Sequence, residues 1–134
     1  MISHICLGSN DLDRAGRFWR AMTPHLGMVE RQVEEDGGPP MLCWHRPDTV
    51  APRLYVVTPF DDRAASAGNG TMLALIAPSR SAVDAAHQAG LSHGGTDAGA
   101  PGLRAHYAPD YYGAYLRDPD GNKLHLVHRP GLVT

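Results

Sequence analysis

The chain has 134 residues and a mass of 14.4 kDa, which is one domain or two small halves sharing a core. Its net charge is −2 and its pI about 6.4, so there is no basic field to hold nucleic acid or anionic lipid. No apolar run approaches the roughly 18 residues of a membrane helix. Two cysteines, Cys6 and Cys43, make no disulfide framework, and the strand-like pattern begins almost at Met1. A cytoplasmic protein without a leader peptide is therefore the expectation.

The apolar run Ile2 to Leu7 reads as a strand, and Asn10 or Asp11 is placed to cap the helix that follows. Leu12, Ala15, Phe18 or Trp19, and Met22 recur at helical spacing, and Thr23-Pro24 ends the run. Strands are predicted over about 26–33, 40–46 and 53–58, with Gly37-Gly38-Pro39-Pro40 turning the chain between the first two. Residues 61–70 are polar and rich in Ala, Ser and Gly, the composition of a linker. The order then begins again. Thr71 to Ala77 is a strand, Ser79 caps a helix over 80–89, and Gly90 fits its C-terminal cap. Three strands over about 92–97, 111–117 and 122–129 follow, the last two joined by the turn Asp118-Pro119-Asp120-Gly121.

Each half is thus strand, helix and three strands. Residues about 1–60 form one module and about 71–130 the other, within a single domain spanning 1–134. Shifted by 68, Ile5, Leu7, Ala15 and Ala21 fall on Leu73, Leu75, Val83 and Ala89; shifted by 70, Arg53 to Val57 falls on Lys123 to Val127. Strand alternation puts Ile5, Leu7, Leu54, Val56, Leu73, Leu75, Leu124 and Leu126 on faces that pack against the helices. The opposite faces carry His4, Tyr55, Met72 and His125 at four equivalent positions, the expected lining of a cleft.

The opening ISHICLGSNDLDRAGRFW, the middle NGTMLALIAPSRSAVDAAH and the closing DPDGNKLHLVH resemble the vicinal oxygen chelate superfamily. That superfamily includes glyoxalase I, bleomycin-resistance proteins and extradiol dioxygenases. The stretch GAPGLRAHYAPDYYGAYLRDPDGNKLHLV is similar to a bacterial glyoxalase-like subgroup. The resemblance covers about 2–130. It implies an α+β fold of two βαβββ modules whose sheets form an incomplete barrel around a cleft, and a homodimer.

The superfamily's metal ligands, carried over, fall on His4, Tyr55, Met72 and His125. His4 fits that pattern. Position 72 holds Met where His is common, position 125 holds His where Glu is common, and position 55 holds Tyr where glyoxalase I has Glu. Glyoxalase I chemistry needs a metal-bound carboxylate as base, and none of the four positions supplies one. A dioxygenase iron site needs two His and one carboxylate. The resemblance therefore implies a divalent ion (Zn, Ni, Mn, Fe or Co) on His4 and His125, with His125 also a candidate general base.

Arg104, His106, Tyr107, Tyr111 and Tyr112 lie in a segment that covers the cleft mouth in the subgroup. With Tyr55 and Met72 they are the expected substrate-binding residues, Arg104 pairing with a carboxylate or phosphate. Trp44 and His45 are candidates to line the same cavity, whereas Trp19 belongs to the core. The expected function is a metal-dependent enzyme, a lyase, isomerase or dioxygenase, acting on a small oxygen-bearing metabolite. The alternatives are a metal-free small-molecule binder like the bleomycin-resistance proteins, or a member without catalysis.

Overall fold

The computed structural model describes residues 1–132. Strand β1 (His4–Gly8) leads into helix α1 (Leu12–Met22). Asp11 caps α1 by accepting a hydrogen bond from the Arg14 backbone N–H at 3.0 Å, which settles the choice between Asn10 and Asp11. Past Met22 a single 3-10 turn, Thr23–Leu26, ends on the left-handed Gly27. The first module closes with β2 (Val29–Arg31), β3 (Met41–His45) and β4 (Arg53–Val57). The second repeats the order as β5 (Leu73–Ile76), α2 (Arg80–Ser92), β6 (Thr96–Leu103), β7 (Tyr112–Arg117) and β8 (Lys123–His128).

Each module forms one four-stranded mixed sheet, in the orders β1-β4-β3-β2 and β5-β8-β7-β6. In both, the first and last strands pair in parallel: Ile5 sits opposite Leu54, and Leu73 opposite Leu124. The strand-helix-three-strand order is the one predicted from the repeat, and the two-module α+β architecture is the one the resemblance implies. The sheets are not closed into a barrel, because no strand of one pairs with a strand of the other.

Helix α1 covers β3 and β4, α2 covers β6, β7 and β8, and the helices pack on each other. The apolar faces therefore meet in the middle, around Phe18, Trp19, Met22, Trp44, Val56, Val83, Leu116, Leu124 and Leu126, all almost fully buried. Trp44 stands against Trp19 with ring centroids 5.9 Å apart. It belongs to this core and lines no cleft, because alternation along β3 turns Leu42 and Trp44 toward the helix.

Several predicted boundaries shift: the strand expected over about 26–33 is only Val29–Arg31, and the one expected over about 92–97 runs Thr96–Leu103. Helix α2 runs through Gly90 to Ser92, and the left-handed residue after it is Gly94, with φ 97°. Gly90 has a packing role instead. A β-carbon there would lie 2.5 Å from Leu116 Cδ1 and 3.0 Å from Phe18 Cε2, so its absence lets α2 settle onto β7 and α1. Strand β6 starts at Thr96 and not near 92, because α2 is longer and Gly94-Gly95 turn the chain.

The closing turn of the second module grips the first. Asp120 Oδ1 accepts from the Asn10 backbone N–H and from Arg14 Nη2, each at 2.8 Å. Asn122 Nδ2 donates to the Gly8 carbonyl at 3.1 Å. Between the modules, the Asn10 side chain bonds both the N–H (2.7 Å) and the carbonyl (3.2 Å) of Ala65. Gly90→Val is expected to lower stability by about 2 kcal/mol through overpacking, measured by urea unfolding with an unchanged m-value.

Candidate functional site

With the apolar faces turned inward on the helices, the other face of each sheet points out. His4, Cys6, Met72, Ala74 and Ile76 are exposed there. The four equivalent positions thus divide into two pairs on two separate sheets. His4 and Tyr55 meet on the first sheet, ring edge to ring face at 5.6 Å, and His4 Nδ1 lies 3.1 Å from Ser3 Oγ. Met72 and His125 lie on the second. A cavity of about 520 Å³ on that sheet is lined by Met72, Arg104, His106, Tyr107, Tyr115 and Lys123, together with Ala98 and Gly99. Tyr55 lines a different one, of about 240 Å³, with Arg31, Cys43 and Arg53. The structure brings neither His4 nor Tyr55 into the cavity that holds Arg104.

His125 is the central residue of the second sheet's outer face, and only 1% exposed. The ring of Tyr115 stacks on it at 4.1 Å and 12°, and Tyr111 stacks at 5.7 Å and 11°. Its Nδ1 lies 2.9 Å from the Ala114 carbonyl. A carbonyl only accepts, so Nδ1 carries the proton and donates it. Burial, reinforced by the nearby charges of Arg104 and Lys123, holds the imidazole below its ordinary pKa against the opposing pull of that carbonyl, so the ring is neutral. Nε2 then has a lone pair, which accepts the Tyr111 hydroxyl at 2.7 Å. Gly113 makes room for this ring, since a β-carbon there would lie 2.6 Å from His125 Cε1.

The aromatic residues continue outward. Tyr107 lies 5.1 Å from Tyr111, and His106 lies 4.1 Å from Tyr107, so an aromatic series leads from the buried imidazole to the exposed segment. Burial raises the phenol pKa of both Tyr111 and Tyr115, which keeps the two hydroxyls protonated near neutral pH.

One predicted binding residue sits elsewhere. Tyr112 faces α2, where its hydroxyl donates to Asp84 Oδ1 at 2.6 Å and the Arg80 guanidinium lies 5.3 Å from its ring. Alternation along β7 places Tyr112 with Ala114 and Leu116 on the helix side, and Gly113 and Tyr115 on the outer side. Tyr115 and Lys123 are the residues that sequence reasoning missed. Both were within reach of it: Lys123 is two positions before His125 on β8, and Tyr115 is its cross-strand partner on β7.

The donor set does not fit a divalent ion. His125 has both nitrogens engaged, Met72 offers only a soft thioether, and His4 stands on the other sheet. No group of three or more His, Cys, Asp or Glu that could hold a metal lies among the described residues.

These features sit in a recognisable family. Residues 4–127 match the family of glyoxalase-like domains, and the chain belongs to it. It is 37% identical to a glyoxalase/bleomycin resistance protein from Albidiferax ferrireducens T118, over 97% of this chain and 99% of that one, with a TM-score of 0.82. A glyoxalase-related enzyme from Fulvimarina pelagi is 18% identical over 97% and 88% of the two chains, TM-score 0.71. A glyoxalase/bleomycin resistance protein/dioxygenase family enzyme from Burkholderia phytofirmans PsJN is 17% identical over 93% and 95%, TM-score 0.68. The last two share the fold alone. No curated protein matches the chain. No helix among the described residues is long and apolar enough to cross a membrane.

A neutral buried imidazole has a thermodynamic signature. The unfolded chain protonates His125 near its ordinary pKa of about 6.5, while the folded chain does so only at lower pH. Its contribution is therefore complete above that value and is lost as pH falls through the window toward the folded pKa. The stability of His125→Gln is expected to fall less steeply with acid over that window than the parent's, in denaturant melts at a series of pH values.

Proposed function

We propose that this chain is a metal-independent small-molecule-binding member of the glyoxalase-like family. Its ligand lies on the outer face of the second sheet, against Tyr115 and the segment carrying Arg104, His106 and Tyr107. The observation that carries this reading is the engagement of both His125 nitrogens, Nδ1–H on the Ala114 carbonyl and Nε2 on the Tyr111 hydroxyl, beside a cavity of about 520 Å³. That volume lies within the range of small-molecule sites, and aromatic walls with a few convergent polar groups are their usual lining. Met72 serves here as a wall and not as a ligand.

A second copy of the chain completes the site. Each sheet leaves an outer face uncovered and two edge strands unpaired on their open sides, β1 and β2 in the first and β5 and β6 in the second. Facing the first sheet of one copy toward the second sheet of another covers both and brings His4 and Tyr55 opposite the cavity. Light scattering during size exclusion is expected to give twice 14.4 kDa. A monomer at micromolar concentration refutes the paired arrangement.

One observation favours a second reading. A phenol donating to a neutral imidazole is a proton-transfer pair, so Tyr111 and His125 have the chemistry of an acid–base couple. In that reading His125 is the catalytic residue, acting through Tyr111.

Thermal melts in chelator and in Zn, Ni, Mn, Fe(II) and Co separate the metal-independent reading from a metalloenzyme. The expectation is an unchanged melting temperature in all of them. A rise that disappears in His4→Ala or His125→Ala overturns it. Such a rise is easily seen, because a ligand at 100 times its Kd adds about 2.7 kcal/mol to the native state.

A further inference from the structure

The cavity on the second sheet carries charge of one sign. Lys123 Nζ lies 5.2 Å from the centre of the Tyr115 ring, and Arg104 Cζ lies 5.7 Å from the same centre. One aromatic ring thus serves two cations. Neither has an acidic partner among the described residues: the ion pairs of the molecule are Arg14–Asp120, Arg20–Glu30, Arg46–Asp48, His87–Asp97 and Arg129–Asp110. Arg104 spends two donors on neutral carbonyls, Nη1 on Gly102 at 3.1 Å and Nη2 on Ala100 at 2.8 Å, which fix the guanidinium without neutralising it.

No Asp or Glu lines the cavity. The adjoining cavity of about 480 Å³ shares Met72 and Lys123, adds Arg117, and has no acid either. A chain with net charge −2 does not arrive at such a surface by average composition. Its acids gather elsewhere, as Glu34, Glu35 and Asp36 around one cavity and Asp11, Asp13 and Asp62 around another. Holding two like charges at one ring without a counterion is unfavourable, and an anion bound between them relieves it. The walls beside the cations are flat: Tyr115 is already stacked on His125 from one side, and the rings of His106 and Tyr107 stand at the rim.

We infer that the ligand is a small planar organic anion, with a carboxylate or phosphate held by Lys123 and Arg104 and its ring against Tyr115 and Tyr107. This rests on the binding reading above and deepens it. A cationic drug, the cargo of a bleomycin-resistance protein, meets the wrong sign of charge here.

Calorimetric titration of the full chain at low salt tests the inference. The probes are benzoate, phenyl phosphate, benzyl alcohol, benzylamine and inorganic phosphate. Benzoate or phenyl phosphate is expected to bind saturably, and more weakly as salt is raised. Benzyl alcohol and benzylamine are expected to bind at least about ten-fold more weakly. Lys123→Gln and Arg104→Gln are each expected to lower affinity for the anionic probe about ten-fold. Unchanged melting temperatures in those variants show that the loss is local. Equal binding of the neutral or cationic probe, or anion affinity unchanged in both variants, overturns the anion assignment and leaves the binding reading intact. Inorganic phosphate binding as tightly as phenyl phosphate overturns the planar half of the inference. No saturable binding by any probe overturns both the inference and the reading beneath it.

Discussion

The edge of the Phe18 ring comes so near Gly90 that any side chain at that position would strike it, and Leu116 closes the same space from β7. Helix α1, helix α2 and the second sheet converge at this point, and the direction of every outer face follows from it. The helices use up the apolar face of both sheets by burying themselves between them. What remains for function is the opposite face of each sheet, with His4 and Tyr55 on one and Tyr115 and His125 on the other. The turn Asp118 to Asn122 then ties the two modules together, because its side chains hold the Gly8 carbonyl, the Asn10 N–H and the Arg14 guanidinium of the other module.

Much of this was legible in the sequence, and the limits have physical reasons. The repeat, the caps at Asp11 and Ser79 and the alternation of β1, β4, β5 and β8 are local or periodic, so residues near one another in the chain determine them. Equivalence is a weaker statement than proximity. The repeat places His4 and His125 at equivalent positions on equivalent faces, but whether equivalent faces share one cleft depends on how the modules pack, and no periodicity encodes that. Tyr111 and Tyr112 illustrate a second limit. Both are tyrosine, and a one-residue difference in register sends the first to His125 and the second to Asp84. Gly90 illustrates a third: a glycine near a predicted helix end reads as a cap until the atoms pressing on it are known. Strand β6 gave no alternation to read, because its Gly- and Ala-rich residues carry register shifts at Asp97–Gly99 and Gly99–Gly102.

The chemistry of the site turns on what surrounds one imidazole. In an exposed position a histidine is a switch near neutral pH. Here burial, two cations and a carbonyl fix both its charge and its tautomer, and a tyrosine takes its remaining lone pair. A residue type that suggests metal ligation becomes instead a flat neutral platform for the Tyr115 ring. At three of the positions where the resemblance implies metal ligands, the chain has Tyr55, Met72 and a His125 whose two nitrogens are both hydrogen-bonded.

The strong preference of this chain for arginine over lysine has one practical result. Lys123 is its only lysine, and it stands over Tyr115 in the cavity. An acylating reagent therefore meets a single side-chain amine in the whole molecule. Modification there removes the charge beside Tyr115, at the place where the proposed ligand would lie.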